Sequence, residues 1–309
     1  MFTHLHWHSH YSLLEAIGEP WKIVDITKKL WMKSIAITDY YWLYWAIEFF
    51  EEATKKWIKP IIWVELSIVE DINKIEEKQN PQNIVLLAKN YKWYENLLKI
   101  VSASNLKWFN ELPRTDFKIL WENKEWIIWF MWGENSFIGK MILAWEKNKK
   151  TEEFIQKNKE ILDWNFFLEL IAQDESKQKE LKKINQNIVE IWKNTNTKII
   201  VNNEYSYPEK ADKEAYEVLL CIKENSKFTK SFLNGKYHIM TEEEIQKVLE
   251  KNWYDKKFIE EIIKNNQEVD SLIDLQIPLW DILFPKYDNP DYIKKLFKEN
   301  KDFLIEKTN

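Results

Sequence analysis

The sequence predicts an α/β fold in which strands alternate with helices, either as a β/α barrel or as a doubly wound sheet. Short apolar runs recur seven times, and they are continuous rather than alternating, as expected for strands covered on both faces of a parallel sheet. Segments with helical periodicity separate these runs, and a helical tail begins at about residue 211. The predicted strands are 2–7, 34–38, 60–66, 83–89, 126–131, 166–171 and 198–202. The predicted helices between them are 20–30, 43–56, 91–104, 135–145, 151–162 and 175–193.

Local signals support several of these boundaries. Pro20 suits the first turn of a helix, because the N–H that it lacks would have no partner within the helix there. Thr241 and Glu244 have the spacing of a capping box, which predicts that a helix of the tail begins at this point. The polar stretch 70–83 predicts a loop between the third and fourth strands.

Composition and charge exclude several classes of protein. The 309 residues are 45% hydrophobic and 31% charged, which is typical of a soluble globular protein. No apolar run approaches the ~18 residues of a membrane span, and the first ten residues lack the pattern of a secretion signal, so we expect a cytoplasmic protein with no membrane contact. The formal net charge is −5 and Arg114 is the only arginine, so the chain has no cationic surface for holding a nucleic-acid backbone.

Tryptophan is unusually common in this chain and glycine is unusually rare. There are 18 tryptophans and 4 glycines, and together they match the share of about 7% that glycine alone has in average proteins. Five tryptophans stand at the C-terminal ends of predicted helical segments, where the chain commonly turns left-handed and glycine is the usual residue. These are Trp31, Trp57, Trp145, Trp192 and Trp253. A residue with a Cβ costs roughly 1–2 kcal/mol in that conformation.

Two interpretations of the tryptophans stay open. In the first, they are genuine residues that pack as hydrophobes at irregular helix ends. In the second, many of their codons are UGA, which the organism reads as glycine. The positions of the tryptophans and the shortage of glycine both favour the second hypothesis. We therefore assign no binding role to Trp42 or Trp45.

Four of the five histidines lie within the first ten residues of the chain, at His4, His6, His8 and His10. On a strand, a period of two places them on one face. His6 and His8 stand one step apart at the end of the first predicted strand, and imidazole is the commonest side-chain metal ligand. Exposed histidines are also common, so a histidine-rich strand without a ligand is the alternative.

Carboxylates stand at the ends of later strands. Asp39 ends the second predicted strand, Glu65 ends the third, and Glu204 lies just past the seventh. In a β/α barrel the C-terminal ends of the strands converge on one mouth, where active sites are built. Two histidines, His6 and His8, together with these carboxylates suit zinc or manganese and a metal-activated water. Each acidic residue taken alone is better explained as a helix cap or a surface charge.

Six segments carry a resemblance to a known family. They are HLHWHSHYSLLEA, SIAITDYYWLYWAIEFF, KPIIWVEL, VLLAKNYKWYENLLKIVS, FFLEL and AYEVLLCIK. In this order they resemble the N-terminal PHP domain (polymerase and histidinol phosphatase) of bacterial replicative DNA polymerase III alpha subunits, and the fourth segment is specific to the polymerase branch. The segment 283–296 also resembles the link toward the polymerase modules. Glycine stands in the family at many places printed here as tryptophan, including Trp31, Trp45, Trp57, Trp63 and Trp93.

The resemblance implies a fold and a domain organisation. The fold is a distorted seven-stranded β/α barrel, similar to a TIM barrel, with a helical C-terminal tail. Residues 1–275 would form the PHP domain, and residues 276–309 would begin the connection toward polymerase modules that this chain lacks.

The resemblance also implies a metal site at the mouth of the barrel. Metal-binding members use an HxH pair, an Asp-His pair, a glutamate, further histidine and cysteine ligands, and an Asp-x-His. This chain keeps His6, His8, Asp39 and Glu65, and Glu204 is the remaining candidate. It departs at Tyr40, which replaces the histidine after the aspartate, at Asn83 or a neighbour, at Gly133, and at Glu204 and Ser206, which replace the Asp-x-His. We therefore expect a degenerate site that holds no metal or one weakly bound divalent ion, zinc or manganese.

The function that the resemblance implies is that of a part of a replication enzyme. The chain would act in DNA replication as the N-terminal portion of the alpha subunit, with its PHP site serving a structural role. Its partners would be the rest of that subunit and the replisome subunits, with DNA contacted only through modules outside this chain. No segment resembles the carboxylate centre of the polymerase, so this chain alone should not polymerise. The alternative is a stand-alone metal-dependent PHP phosphoesterase, either a 3'-5' proofreading exonuclease or an enzyme similar to histidinol phosphatase. The missing ligands argue against this alternative.

Overall fold

The computed structural model describes residues 2–74, 80–122, 128–131, 133, 135–144, 148–162, 165–233 and 235–279. The chain divides into two compact units, Met1–Gln276 and Ile277–Asn309. Most of the predicted connection at 276–309 lies outside the described residues, so this part of the domain prediction stays a prediction.

A mixed sheet forms the centre of the first unit. Six of its seven described strands follow the order β1-β2-β3-β5-β6-β7. The seventh, β4, pairs with the C-terminal end of β2, whereas β1 pairs with the N-terminal end of β2. The strands are β1 Ser34–Ile37, β2 Lys59–Val69, β3 Gln82–Leu87, β4 Arg114–Asp116, β5 Ile128–Met131, β6 Phe166–Ile171 and β7 Ile199–Asn202. Every residue of β1, β6 and β7 is buried, which explains why these strands have continuous apolar runs in the sequence.

The helices lie between and after the strands. They are α1 Pro20–Lys29, α2 Ala46–Lys55, α3 Tyr91–Leu106, α4 Phe117–Glu122, α5 Phe137–Leu143, α6 Asn148–Ile161, α7 Lys179–Thr195, α8 Lys213–Lys223, α9 Glu242–Lys251 and α10 Lys256–Ser271. Pro20 is the first residue of α1. The predicted capping box is confirmed at α9, where the Thr241 hydroxyl accepts from the Glu244 N–H and the Glu244 carboxylate accepts from the Thr241 N–H.

The prediction of a parallel sheet is wrong for one strand. β3 runs antiparallel to both β2 and β5, whereas the other described pairs are parallel. A parallel neighbour requires a long crossover, usually a helix, whereas antiparallel strands can be joined by a loop. Here β2 ends at Val69 and β3 begins at Gln82, so the connection is the polar stretch predicted from the sequence. As a result, the start of β3 lies beside the end of β2.

The first predicted strand, 2–7, is an extended segment rather than a regular strand. It forms one described bridge, between His4 and Ile35 of β1. Its carbonyls accept from the chain along β1, with Ala36 N–H donating to His4 O at 2.9 Å. On its other side, Leu5 N–H donates to the Asn202 side chain at the end of β7, at 3.0 Å. The N-terminal segment therefore bonds to both edge strands of the sheet, although the described strands do not form a closed barrel.

Three of the five tryptophans predicted to follow helices adopt the left-handed conformation. Trp31, Trp57 and Trp253 have φ angles of 61°, 62° and 68° and come directly after the C-caps of α1, α2 and α9. Their side chains are 84%, 91% and 94% exposed, so they pack against little of the protein.

The prediction was wrong for one tryptophan and falls outside the structure for another. Trp192 lies inside α7, which continues to Thr195, and the left-handed residue after that helix is Asn196, with φ 51°. Asn196 can occupy the left-handed position after this helix because asparagine tolerates that conformation better than most residues with a Cβ. Trp145 lies outside the described residues.

Candidate metal centre

The N-terminal segment and β2 bring three candidate ligands together. His6 and His8, two residues apart on the extended segment, both point their Nε2 atoms at Oε2 of Glu65, at 3.2 and 3.0 Å. One ligand atom from each residue lies within 4.8 Å of the others, and this is the group of described residues that could hold a metal ion. All three side chains are buried, and Glu65 is fully so.

Strand pairing fixes the position of Glu65. Glu65 pairs with Val85 in the antiparallel register of β2 and β3, so Asn83 is its diagonal neighbour on the same face. The Asn83 amide donates to Oε1 of Glu65 at 2.5 Å. On the other side, Tyr40 forms a bridge with Glu65 at the end of β1. Both carboxylate oxygens of Glu65 therefore have partners, with the histidines on one and Asn83 on the other.

A second buried carboxylate lies behind His6. The Nδ1 atom of His6 is 3.2 Å from Oε1 of Glu169, in the middle of β6. Asn202 donates to the same oxygen at 2.8 Å. Glu169 is not among the candidate ligands predicted from the sequence, although an acidic residue inside the apolar run FFLELI is a signal that could have indicated it.

The charges of this group depend on one another. Burial alone would lower the pKa of His6, but the charges and hydrogen bonds of Glu169 and Glu65 raise it to about 10. Burial alone would raise the pKa of Glu65, but hydrogen bonds from His6 and His8 hold it below its ordinary value. A buried carboxylate is costly unless it is paired with positive charge. In this cluster the His6 imidazolium supplies that charge to both carboxylates.

Asp39, the fourth candidate ligand, lies outside this group. Its carboxylate is fully buried and accepts from the Ser9 N–H at 2.6 Å, the Ser9 hydroxyl at 2.5 Å and the Ser12 hydroxyl at 2.6 Å. Burial raises the pKa of Asp39, although these hydrogen bonds oppose the shift. Both oxygens are thus used to hold the turn after His8.

Glu204, the fifth candidate, is half-buried and is also outside the group. One of its carboxylate oxygens lies 4.0 Å from the position that a Cβ on Gly133 would occupy. Tyr40, where metal-binding members have histidine, stacks on the His8 ring with 4.3 Å between ring centroids. Burial and the charge of Glu65 raise the pKa of Tyr40 well above its ordinary value, so its phenol stays protonated.

An open cavity of about 840 Å³ lies above the cluster. Tyr40 and Asn83, which contact His8 and Glu65, form part of its wall. Other aromatic side chains, Tyr11 and Tyr44 among them, and the cation of Lys223 line the rest of it. A small polar molecule that entered this cavity would contact Tyr40 and Asn83, the neighbours of His8 and Glu65.

The donor set fits a divalent metal ion. Two imidazoles and one carboxylate are ligands that zinc and manganese accept. In a tetrahedral site with bonds of about 2.0–2.2 Å, ligand atoms lie about 3.3–3.6 Å apart. The 3.0 and 3.2 Å separations from Glu65 Oε2 to the two histidines are close to that spacing, so small shifts would admit an ion. His6, His8 and Glu65 would hold it, and such an ion would supply Lewis acidity and an activated water.

The mixed α/β fold and the buried group His6, His8 and Glu65 agree with the family that the sequence resembles. A family model for the PHP domain matches residues 4–173. The chain belongs to the PHP domain family.

Relatives with similar sequences include polymerase subunits. The chain is 28% identical over 311 residues to the DNA polymerase III subunit alpha of Thermus aquaticus, which covers 94% of this chain and 24% of the relative. The subunit of Helicobacter pylori strain 26695 is 30% identical over 297 residues, with 91% and 24% covered. The subunit of Buchnera aphidicola subsp. Schizaphis graminum is 26% identical over 313 residues, with 100% and 25% covered. The chain therefore spans about a quarter of the length of these relatives.

Within the part of the chain that the structure describes, no helix is both long and apolar enough to cross a membrane.

Proposed function

We propose that this chain is the N-terminal PHP-domain portion of a DNA polymerase III alpha subunit and acts in DNA replication as part of that subunit, in the cytoplasm. The observation that carries the proposal is the alignment of 91–100% of the chain with about a quarter of such subunits. Its partners are the rest of the subunit and the replisome subunits, and DNA is contacted through modules outside residues 1–309. We also propose a distorted barrel, supported by the bonds from the N-terminal segment to β1 and to Asn202.

A primer-extension experiment tests the function. The isolated chain should not extend a primed template, whereas the subunit that carries this domain together with polymerase modules should do so. Co-purification of the chain with those modules, expressed separately, is the second expected result. Primer extension by the isolated chain, or failure of the two parts to associate, would contradict the proposal.

For the site itself, we propose a degenerate centre that mainly stabilises the domain and holds at most one zinc or manganese ion, weakly. The proposal is supported by the positions of Asp39 and Glu204 outside the group His6, His8 and Glu65. The same buried group favours the alternative of a metal-dependent phosphoesterase, with 3'-5' exonuclease or histidinol phosphatase activity.

Metal content and nuclease activity separate these two possibilities. Purified protein would be assayed for bound metal, for cleavage of a 3'-labelled oligonucleotide with Mn²⁺ or Zn²⁺, and for phosphate release from histidinol phosphate. Glu65→Gln removes one ligand, and Glu250→Gln, at an exposed position of α9, is the matched control. Stoichiometric tightly bound metal, together with activity that Glu65→Gln alone abolishes, would establish the alternative and refute a degenerate site.

We further propose that many of the tryptophan codons are UGA and are read as glycine. The support is the left-handed conformation of Trp31, Trp57 and Trp253 and the exposure of their side chains. Peptide mass spectrometry of the protein from its own organism would give glycine at these positions. Tryptophan at all three would contradict the proposal.

A further inference from the structure

Glu169 is a buried carboxylate that belongs to the cluster without being one of its three candidate ligands. It is 1% exposed and lies in the middle of β6, where apolar residues fill the neighbouring positions. Burying a carboxylate is unfavourable unless the protein uses its charge or its hydrogen bonds. Among the described residues, its hydrogen bonds are with the side chains of His6 and Asn202.

The hydrogen bonds of Asn202 determine how its amide is oriented. Leu5 N–H can only donate, so the Asn202 atom that meets it at 3.0 Å is the carbonyl oxygen. The Asn202 amide nitrogen then faces Oε1 of Glu169 at 2.8 Å and donates to it. Asn202 is fully buried, so these bonds are shielded from bulk solvent. Asn202 therefore holds Glu169 on one side and the backbone next to His6 on the other.

The contact between Glu169 and His6 has a direct chemical consequence. A carboxylate accepts hydrogen bonds, so in the metal-free cluster the His6 Nδ1 proton is donated to Glu169 and the Nε2 proton to Glu65. When a metal ion replaces the Nε2 proton, the proton on Nδ1 stays with Glu169, and Nε2 is the atom left to bind the ion. A carboxylate on the outer nitrogen of a metal-binding histidine is a recurrent way of fixing its tautomer and orientation.

We infer that Glu169, held by Asn202, is a positioning residue that fixes the proton of His6 on Nδ1 and aims its Nε2 into the group formed with His8 and Glu65. Asn202 fixes the backbone beside His6 through Leu5, and Glu169 fixes the ring through Nδ1. His6 is thus held through the backbone of the preceding residue and through its own ring. The inference rests on the proposed metal site for its effect on metal affinity, but not for the hydrogen bond itself.

Two measurements on the whole chain test this inference. The first is the His6 Nδ1–H signal in proton and nitrogen NMR spectra of metal-free protein, assigned with His6→Ala. The second is the affinity for Zn²⁺ alone, measured by competition with a chromophoric chelator. Glu169→Gln keeps the shape of the side chain but removes its charge. Glu175→Gln is the matched control, because Glu175 is also buried and hydrogen-bonded, to Asn185 and Tyr254, but has no described contact with His6.

We expect a slowly exchanging Nδ1–H signal in the wild type and in Glu175→Gln, and its loss or rapid exchange in Glu169→Gln. Zinc affinity should fall about 10-fold to 100-fold in Glu169→Gln and change less than about twofold in Glu175→Gln. A wild-type zinc affinity and an unchanged signal in Glu169→Gln would overturn the inference.

Failure of the proposed metal site gives a different result. If the wild type binds no Zn²⁺, the site is purely structural and zinc affinity cannot be compared, so the Nδ1–H signal alone decides the inference. Its presence in the wild type and loss in Glu169→Gln support positioning, and its absence from the wild type refutes it. If Glu169→Gln does not fold, Glu169→Asp takes its place. This variant keeps the charge but moves it one methylene away from His6, so the Nδ1–H signal should again weaken and zinc affinity should again fall.

Discussion

Replacing Trp31, Trp57 and Trp253 together by glycine should stabilise the protein. Each residue holds a positive φ directly after a helix, where a Cβ costs roughly 1–2 kcal/mol relative to glycine. Glycine loses more freedom on folding, which offsets roughly 0.5–1 kcal/mol per site. Each side chain is at least 84% exposed, so removing the indole forfeits little packing.

The expected gain follows from these terms. A net stabilisation of about 0.5–1 kcal/mol per site gives about 2 kcal/mol for three sites that follow different helices and act independently. For a unit of this size, about 2 kcal/mol corresponds to a rise in Tm of roughly 3–4 °C. Urea denaturation and a thermal scan followed by circular dichroism would measure both quantities.

Two control variants isolate the backbone effect. Alanine at the same three positions removes the indoles but keeps a Cβ, so it should change the free energy of unfolding by less than about 1 kcal/mol in total. Trp192→Gly, in the interior of α7 and packed on Phe258 with 5.0 Å between ring centroids, should destabilise by about 2–4 kcal/mol. A triple glycine variant no more stable than the alanine variant would refute the reasoning.

Three further changes have defined outcomes. Glu65→Gln removes the carboxylate that accepts from His6, His8 and Asn83. It should lower the free energy of unfolding, measured by urea denaturation, by about 2–3 kcal/mol. An unchanged free energy of unfolding would contradict these hydrogen bonds. The pKa of Asp174 is lowered to about 2, mainly by the hydrogen bond from Lys251. This ion pair should therefore add about 0.5–1 kcal/mol to the free energy of unfolding above pH 4, and that contribution is lost as the pH falls to 2. Asp174→Asn should remove that part of the pH dependence of Tm. Glu217→Gln should speed amide hydrogen exchange at 232 and 233, whose N–H groups donate to this carboxylate, and unchanged exchange would refute its role in holding this loop.

The strands were largely predictable because most of them are covered on both faces. Continuous apolar runs located β1, β2, β3, β6 and β7 to within a few residues. The direction of β3 was not predictable, since it depends on how the polar stretch after β2 returns to the sheet. β4 has only three residues, two of them charged, so it carries no apolar signal.

The candidate site was predictable only in part. His6 and His8 share a face because of their spacing. Glu65 lies where the parallel pairing of β2 with β1 ends, and the sequence predicts ligands at such strand ends. Asp39 instead binds Ser9 and Ser12, and no pattern in the sequence indicates which of two uses a buried carboxylate will have. Glu169 was missed because its contact with His6 depends on how the N-terminal segment packs against β6.

The cluster around His6 also bears on whether a metal is needed for folding. Two buried carboxylates, Glu65 and Glu169, would be severely destabilising without positive charge nearby. The raised pKa of His6 keeps its imidazolium between them across the neutral range, and Asn83 and Asn202 satisfy further oxygen positions. In domains whose metal supplies the folding energy, the ligands lack such internal partners and chelators unfold the protein. Here each carboxylate has hydrogen-bond partners within the chain itself. Treatment with a chelator should therefore leave the Tm of the purified protein within about 2 °C, and a larger fall would refute this account of the cluster.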